Sequence, residues 1–331
     1  LGQGSGCRDG FPEIMNQIAN LHEPVMLHRC LELLRPGIQS NSVVIDATLG
    51  LGGHTEALLN THPDLTVIGF DRDPVALELA SERLSKFGAR FRGVLATYDQ
   101  IESVLVELGI SSVQGVLFDL GVSSMQLDSA ERGFAYAQDA PLDMRMDQSH
   151  GITAAELLAD SSEEELARIF RVYGEERFAS LIARSIVRNR EAAPIRTSAQ
   201  LNQIVESVVP KAPGKQTGHP AKRVYQALRI AVNDELAILS SAIPQAIAAL
   251  SVGGRIVVMS YHSLEDAIVK KAFQSAAKST TPIELPVELP GSGPRLRVIT
   301  KGVERASEIE LSQNPRAASA RLRAAEKLEA A

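Results

Sequence analysis

The chain has 331 residues, 44% of them apolar, and a net charge of −6, which allows two domains or one with a large insertion. No window approaches the ~20 continuous apolar residues of a membrane span, and Leu1 to Gly10 lacks the apolar run of a signal peptide. The two cysteines, Cys7 and Cys30, have neither metal-ligand spacing nor a disulfide pattern, so no metal site is expected and the expected setting is a reducing cytoplasm.

Residues 1–20 read as a flexible tail. A short helix over Leu27 to Leu34 is stopped by Pro36-Gly37. Val43-Val44-Ile45-Asp46 reads as a strand buried on both faces. Gly50-Leu51-Gly52-Gly53 follows, then a helix over Thr55 to Asn60. A strand, a glycine turn and a helix start form a place to hold a ligand, because glycine lets backbone come close and the helix start offers N–H groups. A second strand, Thr66 to Asp71, ends in an acid 19 positions after Gly52, suited to accept hydrogen bonds from both hydroxyls of a ribose. The G-x-G-x-x-G fingerprint is broken, with Thr55 at its third glycine. That weakens a nicotinamide reading and suits a nucleoside ligand without a pyrophosphate, such as S-adenosylmethionine (SAM).

Asp73-Pro74 predicts the start of a helix whose buried face carries Val75, Leu77, Ala80 and Leu84. Phe91 to Ala96 is a third strand leading to Tyr98, Gln100 to Leu108 a helix, and Gly115 to Gly121 a fourth strand containing Asp119. Strands alternating with helices predict an α/β fold with a doubly wound parallel sheet. Ligands in such sheets sit at the carboxyl ends of the strands. Gly52, Asp71, Tyr98 and Asp119 all fall there: Tyr98 is placed against adenine, Gly52-Gly53-His54 against the methionine end, and Asp119 near the methyl group.

From Met125 to Pro220 no strand is predicted. An irregular segment runs from Arg132 to Asp147, then helices over Thr153 to Leu158, Ser162 to Tyr173 (with a Ser162/Glu165 capping box), Glu175 to Asn189 and Ser198 to Val208. Between Arg177 and Arg229 lie ten Lys or Arg against only Glu191 and Glu206, a local net of +8. That stretch includes the basic loop around Lys211 and Lys215, and its plain alternative is a solvated helical face. A long helix from Ala221 to Ser240 leads back to the sheet, with Pro244 starting its continuation and Gly253-Gly254 stopping it. Arg255 to Tyr261 is a fifth strand, Leu264 to Ala276 a helix, and Ser279 to Pro294 a proline-rich excursion. Arg295 to Lys301 and Ala320 to Leu328 form a closing antiparallel pair. The expected division is 21–124 with 221–331 as a SAM-binding domain and 125–220 as a helical insertion.

At this point the residues carry a family resemblance. Asp46-Ala47-Thr48-Leu49-Gly50-Leu51-Gly52-Gly53-His54, Asp71-Arg72-Asp73-Pro74, Asp119-Leu120-Gly121-Val122-Ser123-Ser124 and Pro141-Leu142-Asp143-Met144-Arg145-Met146-Asp147 are four of its blocks. With His22-Glu23-Pro24-Val25, His219-Pro220-Ala221-Lys222-Arg223 and Tyr261-His262-Ser263-Leu264-Glu265-Asp266, the chain resembles the bacterial ribosomal RNA small subunit methyltransferase H family from about His22 to Arg323. The resemblance implies a Rossmann-like SAM-dependent methyltransferase that methylates N4 of a cytosine in 16S rRNA at the decoding centre. Carried over, the SAM site is Gly52, Gly53, His54, Asp71, Tyr98, Asp119 and Gln126. Position 98 is often Phe in the family, so apolar contact is retained. Expected partners are 16S rRNA or the small ribosomal subunit, with Lys222, Arg223 and Arg229 as RNA contacts; a homodimer is compatible with the sequence.

A cytosine amine is a poor nucleophile because its lone pair is delocalised into the ring. It needs positioning and a hydrogen-bond acceptor as it gains charge. Asp119 and Asp143 are the expected acceptors; the alternative for Asp143 is an ion pair with Arg145 tying the insertion to the sheet. DNA amino-methyltransferases carry Asn/Asp-Pro-Pro-Tyr after strand four, whereas this chain has Asp119-Leu120-Gly121-Val122. An aromatic platform must then come from Phe134, Tyr136 or Tyr261, or be absent. The competing non-enzyme reading is an RNA-binding ribosome-assembly module with a degenerate methyltransferase fold.

Overall fold

The computed structural model describes residues 24–209, 219–282, 289 and 291–329. The expected tail, the His22-Glu23 start of one motif and the Lys211/Lys215 loop lie outside the described residues. The chain divides into two compact units. One comprises the described residues up to Gly121 and from Leu236 onward; the other is Val122–Glu235.

The first unit is built on seven strands: β1 (Val43–Asp46), β2 (Thr66–Asp71), β3 (Phe91–Leu95), β4 (Val113–Asp119), β5 (Leu250–Ser260), β6 (Leu296–Val298) and β7 (Arg321–Lys327). Their order is β3-β2-β1-β4-β5-β7-β6. The first five are parallel, while β7 runs antiparallel to both β5 and β6. The chain winds outward from β1 through β2 to β3, then restarts at β4 on the other side of β1. This reversal opens the crevice where doubly wound sheets hold ligands.

Alternate residues of each strand enter opposite layers, as the two-residue period of a strand requires. Ile45, Ile68, Phe118 and Val258 face one layer, packed with Ile101, Leu239, Ile243 and Phe273. Val44, Val67, Leu117 and Val257 face the other, packed with Cys30, Leu34, Leu58 and Leu84. Burial on both faces explains why the strands read as continuous apolar runs.

Several elements differ from the sequence expectations. The helix Pro74–Leu84 is capped by Asp73, whose carboxylate accepts from Val75 N at 3.1 Å. Its buried residues are Ala76, Ala80 and Leu84, however, and Val75 faces solvent. The expected single helix from Ala221 is two helices, Lys222–Asn233 and Glu235–Ala249. Asp234 between them adopts a left-handed conformation (φ 51°), which ends the first helix without glycine or proline. Because the second helix starts at Glu235, Pro244 falls inside it. The helix keeps going because Leu239, Ala242, Ile243, Ala246 and Ile247 are buried against the sheet, and burying each large one contributes about 1.5–3 kcal/mol. That offsets the missing N–H bond and ring clash, worth roughly 3 kcal/mol. β5 begins at Leu250, so Gly253-Gly254 sits within the strand at an irregularity in its pairing with β4.

The second unit is helical, with Ala154–Asp160, Glu163–Val172, Ala179–Ala192, Ser198–Val208 and Lys222–Asn233 around Leu158, Leu166, Phe170, Ile182, Leu201, Val224 and Leu228. It therefore includes the helix Lys222–Asn233, beyond the expected boundary at 220. Ser162 accepts from Glu165 N at 3.1 Å, but the Glu165 carboxylate turns to Arg168, so only half of the expected capping box forms. The helix expected from Glu175 starts at Ala179, because Glu175 is left-handed (φ 49°). The irregular segment is pinned. Met146 N–H donates to Asn233 Oδ1 at 2.8 Å, Asn233 Nδ2 donates to Met144 O at 2.7 Å, and buried Arg132 donates to Met146 O at 2.8 Å.

Candidate active site

The strand ends of the first unit carry Asp46, Asp71 and Asp119 at one rim. Asp71 Oδ2 accepts from Gly50 N and Oδ1 from Asp73 N, both at 2.8 Å. The carboxylate thus shapes the glycine turn while each oxygen keeps a lone pair for a ribose hydroxyl. Burial pushes Asp71 up to about 7, against the pull of those two amides.

The turn itself is built by Gly50 (φ 51°) and Gly52 (φ 76°), both left-handed. Close ligand approach is not what demands glycine at positions 52 and 53. A Cβ on Gly52 would lie 2.9 Å from Leu84 Cδ1, and one on Gly53 2.5 Å from Pro24 Cγ. The protein's own packing fills that space. The helix Gly53–Thr61 has no side-chain cap at Gly52, so its first-turn N–H groups lack the usual side-chain acceptor. Thr55, which broke the dinucleotide fingerprint, has a role of its own: its hydroxyl donates to Asp46 Oδ2 at 2.7 Å in the interior. Burial raises the Asp46 pKa.

Asp119 is held by two hydrogen bonds and approached by His54. Its N–H donates to Thr48 Oγ1 at 2.6 Å, the Tyr261 hydroxyl donates to Oδ1 at 2.7 Å, and His54 Nδ1 stands 3.9 Å from Oδ2. Burial pushes this carboxyl up to about 7 as well, against the Tyr261 hydrogen bond. His54 Nε2 lies 3.2 Å from the Val25 carbonyl, which can only accept, so Nε2 carries the proton and Nδ1 a lone pair. Burial lowers the imidazole pKa, against the Asp46 charge and the Val25 carbonyl. When the carboxyl is ionised, His54 Nδ1 and Asp119 Oδ2 face each other as two acceptors. Tyr98 packs edge-on against Phe118, with ring centroids 5.5 Å apart.

In the second unit, Gln126 caps the short helix Ser124–Asp128: its Oε1 accepts from Ser123 N while its own N–H donates to Ser123 Oγ. Asp143 forms a bidentate pair with Arg145 (2.8 and 2.9 Å) and also accepts from Arg145 N and Gln148 Nε2. These contacts, chiefly the Arg145 guanidinium, overcome the burial that would raise it and hold the carboxyl below its usual range. The pair is local to its own loop, not the tie to the sheet that the sequence suggested. Phe134 is buried in the helical core, and Tyr136 stacks on His219. Of the three expected RNA contacts, Lys222 and Arg223 are exposed, Arg223 also donating to Glu175 O at 2.6 Å. Arg229 is held in a bidentate ion pair with buried Glu235 at 2.8 and 2.9 Å. Arg190 donates to the Leu158 and Ser161 carbonyls, so part of the basic stretch holds helix ends together.

Sequence reasoning found the acids at the strand ends but not the network behind them. What was missed is the bond from Thr55 to Asp46, the bond from Asp119 N to Thr48, and the bond from Tyr261 to Asp119. A threonine where a glycine was expected was the one visible signal.

A profile of the MraW methylase family matches residues 19–328. The chain belongs to the MraW methylase family. Two curated relatives, each named ribosomal RNA small subunit methyltransferase H, agree with it at 57% identity. The protein of Beutenbergia cavernae aligns over 313 residues and that of Saccharopolyspora erythraea over 311, each covering 94% of both chains. An rRNA methylase structure from Streptococcus thermophilus aligns at 14% identity and a TM-score of 0.41, covering 92% of this chain and 96% of that one, too distant a likeness to add to the reading. The methyl donor of the MraW methylase family is SAM, and the rim fits it by donor chemistry. Asp71 keeps acceptors for the ribose hydroxyls, and the uncapped helix start suits the methionine carboxylate. No helix among the described residues is long and apolar enough to cross a membrane.

Proposed function

We propose that the chain transfers the methyl group of SAM to the exocyclic N4 of a cytosine in 16S rRNA, within the decoding centre of the small ribosomal subunit. The observation that carries this reading is the agreement at 57% identity, over 94% of both chains, with relatives named for methylation of small-subunit rRNA. The rim of Asp71, His54 and Asp119 supports it chemically. SAM supplies an electrophilic methyl on a sulfonium. The chain's own residues hold the donor and orient the amine. Asp71 and the glycine turn fix the ribose and methionine ends. Asp119 Oδ2, which takes no hydrogen bond from the described residues, accepts one from the cytosine amine as that nitrogen gains charge. Asp143 is the poorer acceptor. Its four hydrogen bonds already use about four lone-pair sites of a carboxylate.

The helical unit is proposed as the RNA-facing part, with Lys222 and Arg223 as phosphate contacts. Comparing rRNA nucleosides from cells with and without the gene tests the whole reading. Loss of N4-methylated cytidine on deletion is expected; an unchanged nucleoside profile would contradict it.

A further inference from the structure

Tyr261 is the first residue beyond β5 and is gripped at both ends. Its backbone N–H donates to Glu265 Oε2 at 2.7 Å, and Glu265 is fixed in turn by a capping box with His262. Its hydroxyl donates to Asp119 Oδ1 at 2.7 Å. Gly121 (φ 94°) lies beside the ring: a Cβ there would be in van der Waals contact, 3.5 Å from Tyr261 Cδ2. The ring therefore lies against the backbone just after β4, and its oxygen meets the carboxylate that ends that strand.

A phenol hydroxyl has one proton, and here it goes to Oδ1. That bond chooses the carboxylate rotamer and occupies one acceptor site of Oδ1, while Oδ2 keeps both of its sites among the described residues. On the far side His54 Nδ1, 3.9 Å away, presents a lone pair and no competing donor.

We propose that Tyr261 is a positioning residue that fixes Asp119 so that Oδ2 is presented to the methyl-accepting amine. The inference rests on the functional reading above, in which Asp119 accepts a hydrogen bond from that amine. It also assigns Tyr261 away from base stacking, since a ring anchored at both ends cannot swing to follow a base.

The electrostatic consequence is separable from the chemistry. The groups facing Asp119 are Tyr261 and Glu265 after β5, His54 on the helix Gly53–Thr61, Asp46 at the end of β1, and the Cys30 thiol on the helix Leu27–Leu34. Among these, Tyr261 is the hydrogen-bond donor that favours the ionised carboxylate. Removing its hydroxyl moves Asp119 ionisation to higher pH.

Tyr261→Phe keeps the ring and its packing and removes only the oxygen. Three readouts are taken on the full chain: Asp119 ionisation by carboxyl-carbon NMR, SAM affinity by calorimetry, and single-turnover methylation of small-subunit rRNA across pH. The expected result is a rise in the Asp119 ionisation midpoint, SAM affinity within about twofold, and a single-turnover rate reduced at least tenfold, its acid limb displaced to higher pH. An unmoved midpoint overturns the proposal whether or not the protein methylates cytosine. A moved midpoint with a wild-type rate overturns the positioning role. Asp119→Asn separates the two readings: if it is as active as wild type, the role of Asp119 has failed and the inference with it. If it is inactive while Tyr261→Phe is normal, only the inference has failed.

Discussion

Asp71→Ala is the sharpest perturbation of the donor site. The carboxylate holds two backbone amides, Gly50 N and Asp73 N, at 2.8 Å, and in the proposed reading also accepts from two ribose hydroxyls. Hydrogen bonds to a charged group contribute about 1.5–3 kcal/mol each. Losing both ribose bonds therefore weakens SAM binding at least about tenfold, since 1.4 kcal/mol is already a factor of ten. The amides add a second effect, because each left unpaired costs about 1–3 kcal/mol and loosens the turn. Asp71→Asn should not rescue. Its amide offers one oxygen, so its NH2 must point at the N–H of either Gly50 or Asp73. Calorimetry with SAM and thermal melting of the ligand-free protein read the two effects apart. A lowered melting temperature with wild-type SAM affinity would refute the ribose role and leave Asp71 as a turn residue only.

Two further outcomes follow from the same geometry. Asp71 and Asp119 are both held up to about 7 by burial, above their unfolded values. Their contribution to folding is therefore full below about pH 4 and lost as pH rises through about 7. Against pH, the melting temperature of the ligand-free protein should carry this downward component, and Asp71→Ala should remove the Asp71 share and leave that of Asp119. SAM affinity should rise about tenfold from about pH 6 to about pH 8 for one carboxylate that must be ionised; a flat affinity would contradict its need. The cations of the helical unit should separate. Lys222→Gln with Arg223→Gln should weaken RNA binding and lower its salt slope by about one unit per lost phosphate contact. Arg229→Gln should instead destabilise the unit by about 3–5 kcal/mol, because it leaves buried Glu235 without its partner. Equal salt slopes for the double variant and wild type would remove that surface from the interface.

The central sheet was legible because its strands are buried on both faces. Val43-Val44-Ile45 and Val67-Ile68 could be little else, and each ends in an acid that a core strand would not carry without a use. The antiparallel β6–β7 pair was also legible, though β6 is shorter than expected. What the sequence hid has particular causes. Asn233-Asp234 gives no glycine or proline signal, so a left-handed break there reads as continuous helix. Pro244 reads as a boundary because local chemistry says so, and burial of the residues around it decides otherwise. Leu250-Ser251-Val252 before two glycines looks like a helix end until β4 supplies a pairing partner. At the site, the acids were visible singly. That Tyr261, 142 positions away, closes on Asp119 depends on β4 and β5 lying side by side, which no local pattern encodes. Arg229 read as a phosphate contact because a sequence does not show that Glu235 folds back onto it.

The most direct measurement is methylation by the purified chain. Small ribosomal subunits, or their RNA, from cells lacking the gene are incubated with SAM carrying a labelled methyl group, and mass spectrometry of nuclease fragments and then of nucleosides locates and identifies the label. The account predicts label in N4-methylated cytidine at one site of the decoding centre, with none when Asp119→Asn replaces the wild type. Label on carbon 5 of cytosine or on another base, or no label in RNA despite tight SAM binding, would contradict it.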